Sequence, residues 1–216
     1  AKATAKLFGL PLLKMDIGSL MGKYVGESEG NMRRAIAVAE AVSPCVLWVD
    51  EVEKAFAGIG SGAAGSEVAT RLFGYFLTWM QEKTAQVFVV TTANDISVLP
   101  PELLRKGRFD EIFYVDFPNE AERKAIFRVH LDKRKKMNQQ IDLHKLAKAT
   151  DKYSGADIES IVKEGIERAF LANRAELDTQ RLMQVIEATH PLGMVMKDKV
   201  KQYQNRFAEM KIKSAS

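Results

Sequence analysis

Up to about Phe117 the chain alternates short apolar runs with helical patterns: PLLKMD, a helix, CVLWVD, a helix, QVFVVTT and then EIFYVDF. Runs this short that are apolar almost throughout, without the in-and-out alternation of a half-exposed sheet, mark strands covered on both faces. The helical patterns between them supply the crossovers that parallel strands require. This rhythm predicts an α/β domain built on a parallel sheet over residues 1–117.

The helices of that domain have legible faces. One begins after Gly26, with Ser28 placed as N-cap between Glu27 and Glu29 and with Met32, Ile36 and Ala39 as its apolar stripe. The next begins near Ser66 and carries Val68, Leu72, Tyr75, Phe76, Trp79 and Met80 at helical spacing. Ala1 to Phe8 have helix-forming composition, with Ala5, Leu7 and Phe8 as apolar contacts, and end at Gly9.

After FPNE only helical patterns follow, which predicts a second, all-helical domain from Pro118 to about His190. Asn119 with Glu122, and Ser154 with Asp157, have capping-box spacing, so helices should begin at both. Residues 191–216 form a C-terminal segment in which Met196, Val200, Tyr203, Phe207 and Met210 make a narrow helical seam. That seam either docks on its own domain or meets a partner. The Gly-rich loop Gly58 to Ser66 carries no grip residue and is assigned no role.

Composition narrows the function classes. No apolar run approaches the roughly 20 residues of a membrane span, and the first residues lack the features of a signal peptide. A cytoplasmic protein is the expectation. The single cysteine, Cys45, lies in an apolar run and is read as a buried, inert thiol. His130, His144 and His190 have no metal-ligand spacing, and Trp48 and Trp79 read as core. The net charge of +4 is modest and much of the excess lies in Arg128 to Lys136 and Lys197 to Lys213, so a strong nucleic-acid footprint is not indicated.

The chemistry concentrates in VLWVDEVEK, Val46 to Lys54. Four apolar residues deliver Asp50 and Glu51 to the carboxyl end of a buried parallel strand, where open α/β sheets bind ligands. An Asp at such a tip can hold Mg²⁺ through its water shell, and the following Glu can polarise a water for attack on a phosphoryl group. VFVVTTAN ends in Asn94, whose amide can donate to a phosphate oxygen and accept from a water. PPELLRKGRFD presents Arg105 and Arg108 around Gly107, suited to bidentate phosphate contact or to ion pairs with Glu102, Asp110 or Glu111.

The ordered set KYVGESE, VLWVDEVEK, TTAN, LLRKGRFD and YSGAD strongly resembles the classical clade of AAA+ ATPases, the group that includes hexameric protein unfoldases and remodelling motors. Within it, PCVLWVDEVEKAF and PPELLRKGRFDEIF look most like an AAA group encoded in cyanobacteria and plastids. The resemblance implies a P-loop NTPase large subdomain, N-terminally truncated, followed by an all-α small lid subdomain, with ATP and Mg²⁺ as cofactors. It assigns Asp50 to Mg²⁺, Glu51 to water activation, and Asn94 to positioning that water. Arg105 and Arg108 match arginine fingers that reach the nucleotide of the adjacent subunit in a self-assembled ring, in this family usually a hexamer. Ser154, Gly155 and Ala156 match the start of the helix lying against adenine and ribose. Lys23, Tyr24, Val25 and Gly26 match the pore loop that grips a threaded polypeptide.

The same resemblance places the phosphate-binding loop G-x-x-x-x-G-K-[ST] just before AKATAKLFG, and the chain has no Gly-Lys-Ser/Thr. The expectation is therefore that the natural polypeptide extends upstream and that the 216-residue chain alone does not hydrolyse ATP measurably. Remodelling of proteins is the leading function. Action on nucleic acid, or a non-catalytic assembly or regulatory role, are the alternatives.

Overall fold

The computed structural model describes residues 1–20, 27–56, 65–99, 107–172 and 176–215, and divides into two compact units, Ala1–Asp110 and Glu111–Ser216. The first is an α/β unit. Its sheet has three parallel strands, β1 (Leu12–Met15), β2 (Cys45–Val49) and β3 (Val87–Thr91), in that order across the sheet. β2 is central, and four of its five residues are fully buried, which is why CVLWV reads as a continuous apolar run. The register pairs Lys14 with Trp48 and Val49 with Thr91, so the residues just past β2 and β3 emerge side by side.

Three helices of the unit behave differently. α1 (Lys2–Phe8) ends at Gly9, whose φ of 66° is the left-handed conformation that glycine adopts without Cβ strain. Of the apolar contacts expected there only Ala5 is buried: Leu7 is 81% exposed, and Phe8 makes an edge contact with Phe88 of β3 at 5.6 Å. The helix is only two turns long, so one narrow face reaches the sheet. In α3 (Glu27–Ala41) the stripe Met32, Ile36 and Ala39 is buried as expected. Ser28 differs from the expectation of an N-cap, since it is helical and buried on the Met32 face one turn before it. α4 (Gly65–Glu82) buries Leu72, Phe73, Phe76 and Trp79, and the Trp79 indole N–H donates to Glu40 Oε1 at 2.8 Å. A short helix, α2 (Ile17–Leu20), follows β1 and contributes Ile17 to the core. Cys45 is fully buried, and burial pushes its thiol pKa up, the inert behaviour expected.

The second unit packs α5 (Glu120–Lys133), α6 (Leu143–Ala149), α7 (Gly155–Leu171) and α8 (Thr179–Ala188) around Phe127, Leu131, Leu146, Ile158, Ile161, Leu182 and Val185. Both expected capping boxes are present: Asn119 opens α5 with Glu122, and Ser154 opens α7 with Asp157. Buried Arg123 ties the bundle to its connections, its guanidinium donating to the carbonyls of Ala147 (3.0 Å) and Pro118 (2.7 Å).

The described elements between Pro118 and His190 are all helical, as expected, and the differences lie on either side of them. EIFYVDF does not extend the parallel sheet of the first unit among the described residues. Only Phe113–Tyr114 are extended (β4), and they pair in parallel with Lys213–Ser214 (β5). The reason lies in the C-terminal segment. After α9 (Leu192–Val195), α10 (Lys197–Glu209) stacks Phe207 on Tyr114 at 4.5 Å, which delivers the following residues to β4. Gln204 adds a bond to Asp116 and Lys213 one to Glu111. The seam thus docks within its own unit through Phe207, while Met210 at its end stays exposed.

Candidate functional site at the tips of β2 and β3

Asp50 and Glu51 follow directly on β2, and Thr92 and Asn94 on β3. The parallel register brings these four together. Thr92 Oγ1 donates to Asp50 Oδ1 at 2.7 Å and accepts the Glu51 backbone N–H at 3.2 Å. Backbone bonds from Thr92 N to Val49 O and from Val52 N to Thr92 O, 3.0 and 2.9 Å, lock the crossing. Within it Glu51 sits at a φ of 51°, a left-handed conformation that costs a non-glycine residue about 1–3 kcal/mol and persists where surrounding bonds over-determine it. The strain turns the chain so that successive carboxylates face the same tip.

Each carboxylate has two sets of partners. Glu51 Oε1 accepts from the Asn94 side-chain amide at 3.2 Å, and Oε2 pairs with Lys54 at 2.5 Å. Glu53 Oε1 accepts the Asn94 backbone N–H at 3.1 Å, so a third acidic residue orients the amide. Asp50 Oδ2 pairs with Lys14 of β1 at 3.0 Å. The hydrogen bond from Thr92, then that from Lys14, holds the Asp50 carboxyl below the usual carboxylate range. The ion pair with Glu51 pushes the Lys54 ammonium pKa up.

Among the described residues no three His, Cys, Asp or Glu side chains converge on a metal position. The tip therefore offers no complete protein cage. It offers one deprotonated carboxylate with an adjacent hydroxyl, hard oxygen donors suited to Mg²⁺, an ion that keeps much of its water shell and is bound by one or two carboxylates plus phosphates. The donor set fits the Mg²⁺ role expected of Asp50.

The other expected site residues belong to other segments of the chain. Arg108 is half-buried beyond Gly107, whose φ of 92° bends the chain before it. Ser154, Gly155 and Ala156 open α7 in the second unit, and Ser154 spends its hydroxyl on the capping box. A Cβ on Gly155 would meet only Ile126 at 3.9 Å, an ordinary contact, so packing within that unit does not demand glycine. Arg105 and the loop Lys23, Tyr24, Val25 and Gly26 lie outside the described residues, as do 58–64 of the Gly-rich loop.

Thr92, Lys14, Glu53 and Lys54 escaped the sequence reading. Two signals were available. Lys14 is the lone charge inside the run PLLKM, and TT stands at the end of QVFVVTT where a buried strand needs no hydroxyls. Without the register neither can be assigned a partner.

Comparison with known proteins shows the family of the chain. The family described as ATPase family associated with various cellular activities (AAA) matches residues 1–117, and the AAA+ lid domain matches residues 140–184. The AAA domain-containing protein ycf46 of Pyropia yezoensis is 46% identical over 217 residues, covering 100% of this chain and 44% of the relative. A cell division cycle protein 48 homolog of Archaeoglobus fulgidus is 33% identical over 166 residues, covering 76% of the chain and 22% of the relative. The ATP-dependent zinc metalloprotease FtsH 1 of Sphaerobacter thermophilus is 30% identical over 190 residues, 87% of the chain and 29% of the relative. The chain spans less than half the length of each of these relatives.

Proposed function

The chain belongs to the AAA family of ATPases, and on that premise we propose that it is the ATP-hydrolysing module of a ring machine that remodels or unfolds proteins. One observation carries the catalytic part: Asp50 and Glu51 stand side by side on a strand tip, with the Asn94 amide bonded to Glu51 Oε1 from the neighbouring tip. Bound Mg²⁺ would supply charge neutralisation on the phosphates, with Asp50 as its protein carboxylate. Glu51 accepts a proton from the attacking water, and the Asn94 amide, held through its backbone by Glu53, fixes the carboxylate and the water's approach. The strained backbone at Glu51 keeps the base at the tip without reorganisation.

The remaining roles rest on the family resemblance. Arg105 and Arg108 act as fingers on the nucleotide of an adjacent copy in a homo-oligomeric ring, worth about 10³ to 10⁵ in rate in related phosphoryl transfer. Ser154, Gly155 and Ala156 lie against adenine and ribose; the absence of any packing need for glycine at 155 within its own unit supports an approach from outside it. Lys23, Tyr24, Val25 and Gly26 grip polypeptide by stacking and apolar contact. A relative whose name makes it an ATP-dependent metalloprotease supports a protein rather than nucleic-acid substrate. No described helix is long and apolar enough to cross a membrane, and a cytoplasmic location remains part of the proposal.

The test is Mg²⁺-dependent phosphate release by the whole protein, with and without an unfolded polypeptide or DNA. Glu51→Gln should lower turnover by about 10² to 10⁴ with ATP binding retained, and Tyr24→Ala should abolish stimulation by polypeptide with basal turnover kept. Full turnover in Glu51→Gln, or stimulation by DNA alone, would overturn the reading.

A further inference from the structure

Asp50 Oδ2 is already engaged by an ammonium. Lys14, one strand away on β1, places Nζ 3.0 Å from that oxygen, while Thr92 takes Oδ1. A divalent cation bound at Oδ2 would meet the Lys14 charge at the same atom, and two cations at one carboxylate oxygen repel. The same Lys14 ammonium also sits over an aromatic face. Its Nζ lies 4.6 Å from the centroid of the Trp48 ring, a cation–π contact available on the same side-chain stem. Lys2 approaches the same ring at 6.0 Å.

We infer that Lys14 is the built-in counter-ion of Asp50, a positioning residue held over the Trp48 ring that competes with the divalent cation for Oδ2. The inference rests on the Mg²⁺ role proposed for Asp50. Its magnitude follows from exposure: the Lys14 and Asp50 side chains are 52% and 28% exposed, so the pair is weak in stability terms and readily broken. In a competition, however, a weak pair still raises the cation concentration needed at the site. Through Lys14 and Thr92 the Asp50 carboxylate stays oriented by two partners. The pairing of Lys14 with Trp48 across the β1–β2 register sets the reach that makes this possible.

The experiment measures manganese(II) affinity of the whole protein in the presence of ADP, by the electron paramagnetic resonance signal of free Mn²⁺. Lys14→Met keeps the aliphatic stem on Trp48 and removes the charge; it should bind Mn²⁺ roughly two- to five-fold tighter, the worth of an exposed ion pair. Lys14→Arg should keep the wild-type affinity. As a second readout in a Trp79→Phe background, Mg²⁺ addition should change Trp48 emission, and Lys14→Met should lose that change. Asp50→Asn separates the two readings by weakening Mn²⁺ binding at least ten-fold. Unchanged or weaker binding in Lys14→Met, with Asp50→Asn weakened, overturns the counter-ion role alone; unchanged binding in Asp50→Asn overturns the Mg²⁺ role and the competition with it.

Discussion

The Asn94 side-chain amide donates to Glu51 Oε1 across 3.2 Å, a bond between residues 43 apart in sequence that joins the tips of β2 and β3. It makes the orientation of the Glu51 carboxylate a property of two strands, with Glu53 holding the Asn94 backbone on the other side.

Asn94→Ala should therefore lower turnover by about 10- to 100-fold, since a misplacement on the order of 1 Å costs that much, with ATP affinity changed less than about two-fold. Asn94→Asp should be worse, because it sets a like charge against Glu51. Steady-state kinetics beside equilibrium nucleotide binding distinguishes these outcomes.

Thr92→Val replaces the hydroxyl shared by Asp50 and the Glu51 N–H with a methyl of the same shape. Losing the largest cause of the lowered Asp50 pKa should move that carboxyl back toward its ordinary value. The sign follows. A depressed folded-state pKa contributes stability above the ordinary carboxylate range that is lost as pH falls through the depressed value. In the variant the carboxyl should titrate at higher pH and the window should narrow from its low-pH end, so less stability is lost on acidification, which carboxyl NMR titration and acid unfolding both read.

Tyr114 lies under Phe207, and burial first, then the Asp116 charge it donates to, pushes its phenol pKa up to about 12. The proton is thus held more tightly folded than unfolded. This contribution to stability is complete below pH ~10 and is lost as pH rises from there through the folded value. Phe207→Ala should lower the Tyr114 pKa, followed by phenolate absorbance, and detach α10 and β5, followed by amide exchange at Ala215, whose N–H donates to Tyr114 O at 2.9 Å.

Gly193 in α9 has no room for a side chain: a Cβ there would lie 2.5 Å from the Lys152 carbonyl oxygen and 3.1 Å from the Phe117 ring. The nearest atom is backbone, so the clash cannot be relieved by a rotamer change. Gly193→Ala should destabilise the second unit by about 1–3 kcal/mol, the range for overpacking, measured by urea unfolding. Gly155→Ala, which meets only Ile126 at 3.9 Å, should be close to neutral in the same assay.

Much of the fold was legible in the residues. CVLWV announced a strand covered on both faces, Met32, Ile36 and Ala39 announced the buried face of α3, and the Asn119 and Ser154 capping boxes marked where α5 and α7 start. These are local signals, carried by period and by hydrogen bonds within four residues. EIFYVDF was misleading for a physical reason: its apolar residues resemble a sheet strand, yet their partner is the Lys213–Ser214 segment about a hundred residues later. Leu7 misled similarly, because apolar character on a two-turn helix does not say which residues its single contact face covers.

The sequence by itself determined the strand tips, the adjacent pair Asp50–Glu51 and the amide at Asn94, because an apolar run followed by polar residues dictates where a buried strand must end. Only the tertiary structure decided what those groups touch. Strand register, a long-range property set by packing of the whole unit, put Thr92 beside Asp50, and brought Lys14 over Trp48 to the second Asp50 oxygen. The left-handed backbone at Glu51 is of the same kind: nothing in DEVEK requires it, and the bonds to Thr92 impose it.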